Sequence, residues 1–254
     1  MRKFLKFVVR TIPRPFLIRL GSGFSFLFAA LYRGNNYECP VCGGHFRKMF
    51  PWGNKGEANR LCPGCLSLER HRLLWLYLKN KSDFFMAPLK VLHIAPEQPF
   101  IKRFKALKNL EYITADLVSP IADVKMDIQD IPFHENSFDI VLCNHVMEHI
   151  PDEAKAIREV YRVLKSGGWA ILQVPIDTSR SETYEDKSIT DPKERELHFG
   201  QYDHLRFHGL DYPERLEAGG FIVVHERYLF DFDEKTRDFY RLPKDEIIYL
   251  CKKS

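Results

Sequence analysis

From Lys90 onward, short apolar runs alternate with amphipathic stretches, and no other feature constrains the fold as tightly. KVLHIA, EYITAD, FDIVLCN and WAILQVP are rich in β-branched residues and have the length of buried strands. PFIKRFKALKN and PDEAKAIREVYRVLK, lying between them, have helical spacing. Pro151 and Asp152 suit a helix start, and Gly167-Gly168 a helix stop. Two later runs, FIVVHERY and EIIYLCKK, complete the set. Strand alternating with helix implies a parallel sheet covered on both faces. The expected fold class is therefore α/β, with a doubly wound, mostly parallel, seven-stranded Rossmann-like sheet. Residues 176–210 are polar without a clear period, and so long a connection inside a compact domain is expected to be a lid or binding loop.

Ahead of this body stands a compact module rich in Cys, Gly and Pro, over residues 38–68. Cys39-Pro-Val-Cys42 and Cys62-Pro-Gly-Cys65 form two CxxC knuckles. That pattern places four thiolates around one structural zinc ion, with no open coordination position. Redox CxxC motifs are the alternative, but they open a helix in a thioredoxin-like unit, and that context is absent. Cys143 and Cys251 sit in strand runs and are expected to be core residues. Between the knuckles, Phe46, Phe50 and Trp52 interleave with Arg47, Lys48 and Lys55. Such a stretch either grips phosphate and stacks bases or supplies packing that a small module lacks, and the second is favoured. Residues 69–89 are expected to be a linking helix, with Leu73, Leu76 and Tyr77 on one stripe.

Net charge is +4, a mild total that hides an uneven distribution. Residues 1–37 hold 7 Lys and Arg and no acid, residues 38–90 hold 9 bases against 4 acids, and the remainder holds 22 against 30. An anionic partner is thus expected for the front only. Residues 1–37 also carry Phe4, Leu5, Phe7, Phe16, Phe24 and Phe26, and read as a cationic amphipathic segment on an anionic membrane surface or as an arm packed on the body. Their uncharged stretch, Leu20 to Tyr32, is too short to span a bilayer. The expected location is cytoplasmic, peripheral on the inner face of the cell membrane.

Asp116 closes the second strand, where doubly wound folds place an acid on a ribose diol. Asp127 follows the third strand, and FDIVLCNHVMEHI leads from the fourth into a His-rich loop. From MDIQDIPF through EHIPDEAKAIREVYRVLKSGGWAILQVP, the chain resembles the class I S-adenosylmethionine-dependent methyltransferases, in the branch called type 11. The resemblance covers Lys90 to Lys252, within a methyltransferase domain expected over residues 90–254, and implies S-adenosylmethionine as cofactor. By resemblance, Asp116 binds the ribose, Leu117 flanks the adenine, Asp127 accepts from the adenine amino group, and the Ile128 backbone contacts the ring. Asn144 and His145 line the methionine end. The family's first loop is glycine-rich, whereas this chain has His93-Ile94-Ala95-Pro96-Glu97. His93, Ala95 and Glu97 occupy the places of the usual acid and glycines, and Glu97 could pair with the cofactor's ammonium group. This loop after a four-cysteine module resembles a bacterial subgroup of methyltransferase-like proteins.

Methyl transfer from a sulfonium needs alignment and exclusion of water, and a base only where the acceptor holds a proton. Candidate bases are His145, Glu148 and His149 after the fourth strand, and His198, Asp203, His204 and His208 in the lid. His204 beside Asp203 is the favoured base or acceptor-orienting residue. Arg206 is expected to clamp an acidic substrate, with His208 as a further substrate contact, while His149 is assigned to a helix start or the core. The expected acceptor is a small molecule or a lipid-linked envelope metabolite. Two alternatives stand beside it: an RNA methyltransferase gripping RNA through the basic module, and a non-catalytic scaffold of the same fold.

Overall fold

In the computed structural model the described residues are 27–53 and 56–254. The membrane-facing expectation for residues 1–37 falls mostly on residues 1–26, outside the described ones. Among the described residues no helix is long and apolar enough to cross a membrane.

The described chain forms two compact units. The first holds the cysteine module. Strands β1 (Arg33–Cys39) and β2 (Gly44–Phe46) pair antiparallel, as do β3 (Phe50–Trp52) and β4 (Glu57–Leu61). Helix α1 (Glu69–Lys81) follows, burying Leu73, Leu76 and Tyr77 as its spacing predicts. The unit also takes in residues 97–103 and 227–246, which the linear boundaries place with the second domain. A buried arginine explains this recruitment. The Arg72 guanidinium donates to the carbonyl oxygens of Ser67 (2.7 Å), Arg60 (3.0 Å) and Arg241 (2.6 Å). A buried cation must find several acceptors, and Arg72 reaches across the sequence to find them. Arg103 Nε similarly donates to the Val41 carbonyl at 2.8 Å. Of the interleaved aromatics, Phe46 is buried and Phe50 packs edge-on against Phe28 and Tyr32, while Trp52 is exposed.

The second unit is the expected sheet. Its strands run in the order β12 (Ile222–Glu226), β13 (Ile248–Lys252), β9 (Leu164–Gln173), β8 (Phe138–Asn144), β5 (Leu89–Ile94), β6 (Leu110–Asp116), β7 (Val124–Lys125). β5 to β9 pair in parallel, while β13 is antiparallel to both β9 and β12. Helix α2 (Gln98–Lys105) follows β5 in sequence. Leu92, Val141, Cys143, Leu172 and Cys251 lie in one apolar core with Val160 of helix α3 (Glu153–Val163). Asp152 caps α3 by accepting from the Lys155 amide at 2.9 Å. The glycine pair, however, does not end the helix. α3 stops at Val163, and Gly167 (φ +77°) and Gly168 lie inside β9 at a register shift against β8. A Cβ on Gly168 would stand 2.8 Å from the Asp139 carbonyl oxygen, so the bulge needs glycine there.

After β5 the chain pairs on one side with β6, and returns on the other side at β8. Ligands of open α/β sheets bind at such a reversal, beyond the carboxyl ends of the strands. The residues just past β5, β6, β7 and β8 occupy that position. Residues 176–210 are more structured than their sequence suggests. They contain β10 (Tyr184–Glu185), helix α4 (Pro192–Phe199) and β11 (Arg206–Phe207), with β10 and β11 paired. Asp191 caps α4 and Gly200 ends it at φ +85°.

Candidate functional site

Two left-handed residues mark the reversal point. Ala95, just past β5, has φ +47°, and His145, just past β8, has φ +56°. Both are held by neighbouring strands: the Ala95 amide donates to the Ala115 carbonyl at 2.8 Å, and the His145 amide to that of Gln173 at 2.7 Å. Ala95 thus adopts the backbone that a glycine loop would take. Positive φ is a conformation that glycine takes without steric cost, and here an alanine holds it.

Asp116 ends β6, and its Oδ1 accepts from the amides of Val118 (2.8 Å) and Ser119 (2.6 Å). Asp127 Oδ1 accepts from the Gln129 amide at 2.8 Å. Both carboxylates are therefore fixed by their own turns. Leu117 is exposed beside Asp116, whereas Ile128 is buried. Asn144 is buried at the end of β8.

Two residues of the first loop are placed elsewhere than expected. His93 is sealed in the interior, with Nδ1 2.7 Å from the Tyr112 hydroxyl and its ring beside Phe104. Its side chain packs inward, away from the loop that follows β5. The Glu97 carboxylate belongs to the first unit, 3.9 Å from His71 Nε2.

The lid histidines divide into two groups. His208 is fully buried, and its Nε2 lies 2.6 Å from Glu153 Oε1. Glu153 Oε2 accepts from Arg215 Nε at 2.8 Å. Burial alone would push the Glu153 carboxyl up, but the His208 hydrogen bond and the Arg215 charge hold it below the ordinary carboxylate range. Arg206 is buried too, donating to the carbonyls of Met147 (2.8 Å), Ile150 (2.7 Å) and Pro151 (3.4 Å) and to Glu185 (3.1 Å). Arg206 and His208 thus tie the lid to the start of α3. With its donors engaged and its side chain buried, Arg206 is a pin and not the expected anion clamp, and His208 is an interior residue and not a substrate contact.

His204 forms the second group. Burial lowers its pKa, and Nδ1 meets the Phe199 carbonyl at 3.0 Å. Asp203 faces His149 instead of His204: its carbonyl lies 3.2 Å and its carboxylate 3.7 Å from His149 Nδ1. The rings of His149 and His204 meet edge to face with centroids 4.7 Å apart. Glu148 is buried beside them, with Oε1 3.4 Å from His145 Nδ1. Burial raises its carboxyl, yet His145 brings the balance below the ordinary value. Sequence spacing missed this grouping, because 55 residues separate His149 from His204 and only the lid's return joins them.

In the first unit the four cysteines converge. Cys39 and Cys65 Sγ are 3.6 Å apart, and Cys42 and Cys62 Sγ 3.7 Å. Bonds of about 2.3 Å from a tetrahedral ion to sulfur require an S–S edge of about 3.8 Å. Four thiols this close cannot all ionise by themselves. Against the cost of burial, hydrogen bonds from Cys42, Cys62 and Cys65 and the Arg72 charge pull Cys39 well down, while Cys39, Cys42 and Cys65 push Cys62 up. A divalent cation removes that conflict. The Gly64 amide donates to Cys62 Sγ at 3.3 Å, the contact a knuckle turn provides.

Residues 78–172 match the family model described as a methyltransferase domain, beginning after the last module cysteine. Ajmaline N-methyltransferase of Rauvolfia serpentina is 35% identical over 125 residues, covering 48% of this chain and 38% of that protein. The ubiquinone/menaquinone biosynthesis C-methyltransferase UbiE of Pseudoalteromonas translucida is 40% identical over 52 residues, covering 20% of this chain and 21% of its own length. The chain therefore spans well under half of each of these relatives. Among solved structures, the [4+2]-cyclase SpnF superposes with a TM-score of 0.51 at 16% identity, over 93% of this chain and 96% of that one. This likeness shows the shared fold, and a fold that also serves a cyclase does not by itself fix the reaction.

Proposed function

We propose that the chain is an S-adenosylmethionine-dependent methyltransferase acting on a small-molecule or membrane-associated acceptor, with a structural zinc ion in its cysteine module. One observation carries the reading. The methyltransferase-domain match falls on β5, β6, β7 and β8, whose carboxyl ends hold Ala95, Asp116, Asp127, Asn144 and His145 around the reversal point. When bound, S-adenosylmethionine supplies a methyl group on an already activated sulfonium. Asp116, oriented by the Val118 and Ser119 amides, is suited to accept from two ribose hydroxyls, and Asp127 from an exocyclic amine. The positive φ at Ala95 presents backbone where a ligand must approach closely. Asn144 and His145 bound the side on which the sulfonium would lie.

His204 is the residue for proton removal or acceptor orientation. Its Nδ1 must donate to the Phe199 carbonyl, which leaves Nε2 as an acceptor. Met147, Ile150 and Pro151 hold the lid through Arg206, so His204 sits on a fixed platform. The zinc reading rests on the S–S separations and on the mutual exclusion of charge among the four thiols.

Calorimetry on the zinc-loaded, full-length protein tests the reading. Saturable binding of S-adenosylmethionine, competed by S-adenosylhomocysteine, is expected. A folded, zinc-loaded protein that binds neither would reject it. The class of acceptor is then read by labelling, and transfer of methyl groups into RNA that falls steeply with salt would replace the small-molecule reading with the nucleic-acid one.

A further inference from the structure

The structure assigns a second metal site, unlike the cysteine module in chemistry: Glu148, His149 and His204 hold a divalent cation of the class that takes imidazole and carboxylate ligands. The three residues can each offer one ligand atom such that all lie within 4.8 Å of one another. Two observations point to a cation between them. Glu148 and His204 are only 2% and 5% exposed, yet Glu148 Oε2 and His204 Nε2 make no hydrogen bond among the described residues. Both are acceptors. His204 Nδ1 meets the Phe199 carbonyl at 3.0 Å, and a carbonyl can only accept, so the proton sits on Nδ1 and the lone pair on Nε2. Buried acceptors without a hydrogen bond are costly, and one cation held among Glu148, His149 and His204 would engage both.

His149 repeats the pattern. Its Nδ1 lies 3.2 Å from the Asp203 carbonyl and 3.7 Å from the Asp203 carboxylate, which leaves Nε2 as the nitrogen available to an ion. Metal-binding histidines characteristically donate their other nitrogen to a carbonyl or carboxylate, which fixes both tautomer and ring plane. Glu148 has the matching support, since its Oε1 is engaged by His145 at 3.4 Å while Oε2 is left over. No hydrogen bond or ion pair joins Glu148, His149 and His204 to one another among the described residues. Their ligand atoms lie within 4.8 Å of one another, whereas a tetrahedral ion with bonds of about 2.1 Å needs edges of about 3.4 Å, so the three side chains close in by up to about an ångström when the ion binds. Two imidazoles and one carboxylate suit Zn²⁺, Mn²⁺, Fe²⁺ or Co²⁺ and leave open positions for water or an oxygen of a bound molecule. His149 is partly exposed, so the site has a path to solvent.

The ion takes the His204 lone pair, so in the ion-bound protein His204 serves the acceptor-orienting role and proton removal by His204 belongs to the ion-free protein. Ion binding does not depend on methyl transfer, and its test is separate from that of the cofactor. Mn²⁺ is the probe, because it avoids thiolate ligands and the zinc-loaded cysteine module does not compete for it. It is titrated into the zinc-loaded full chain, with free Mn²⁺ followed by electron paramagnetic resonance. One Mn²⁺ per chain is expected. His149→Ala leaves the interior side chains in place and should weaken binding by about tenfold or more, as should Glu148→Gln. Wild-type protein that takes up no Mn²⁺ or Co²⁺ at millimolar concentration would overturn the assignment. So would a His149→Ala protein whose affinity stays within about twofold of wild type.

Discussion

Replacing Glu153 by Gln tests how the lid is held. The carboxylate is 2% exposed and His208 is 0% exposed. His208 Nε2 lies 2.6 Å from Oε1, and Arg215 Nε 2.8 Å from Oε2. A glutamine keeps the shape and removes the charge. Its oxygen can serve one partner, while its amide group then faces a donor on the other side. Breaking one side of a buried pair costs about 3–5 kcal/mol. Arg215 is 29% exposed and already 3.4 Å from Glu185, so it can turn away, and the lower end of about 3 kcal/mol is expected. For a unit of this size that corresponds to a fall in Tm of about 6–12 °C. Urea and thermal unfolding at neutral pH measure it. The pH dependence gives a second reading. The folded-state pKa of Glu153 is depressed, so its stabilisation is complete above the unfolded carboxylate value of about 4.3 and fades as pH falls through the folded value. The gap between wild type and variant should therefore be widest near neutrality and narrow below about pH 4. A gap under about 0.5 kcal/mol at pH 7, or one that persists unchanged in acid, would refute the reasoning.

Three further outcomes are expected. Ala95→Gly should leave S-adenosylmethionine affinity intact or improve it, since the site already has φ +47°, and a calorimetric loss beyond about tenfold would show that the methyl group is needed. Gly168→Ala should lower stability by about 1–3 kcal/mol in urea melts, because its Cβ meets the Asp139 carbonyl oxygen at 2.8 Å. Cys62→Ser should abolish the bound zinc measured by elemental analysis and expose the module to protease, because sulfur ligands 3.6–3.7 Å apart act as one set.

The sequence by itself determined the sheet and its ends. Apolar runs at strand length and helices at 3.6-residue spacing are local signals, and they place β5, β6, β8 and the later part of β9, with Asp116 at the end of β6 and Asp127 two residues past β7. The two CxxC pairs likewise announced a sulfur cluster, because each knuckle is local and only one closure had to be supplied. Other features were beyond reach for a physical reason: they depend on which distant residues a buried group finds. Arg72 seeks acceptors and recruits Arg241 into the first unit. His204 reads from sequence as the partner of adjacent Asp203, yet the lid's return sets it against His149 and Glu148. Arg206 and His208 have the composition of a substrate clamp, and burial instead makes them ties between the lid and α3. Spacing along the chain fixes elements, whereas the satisfaction of buried charge is a three-dimensional condition, and only the tertiary structure decides it.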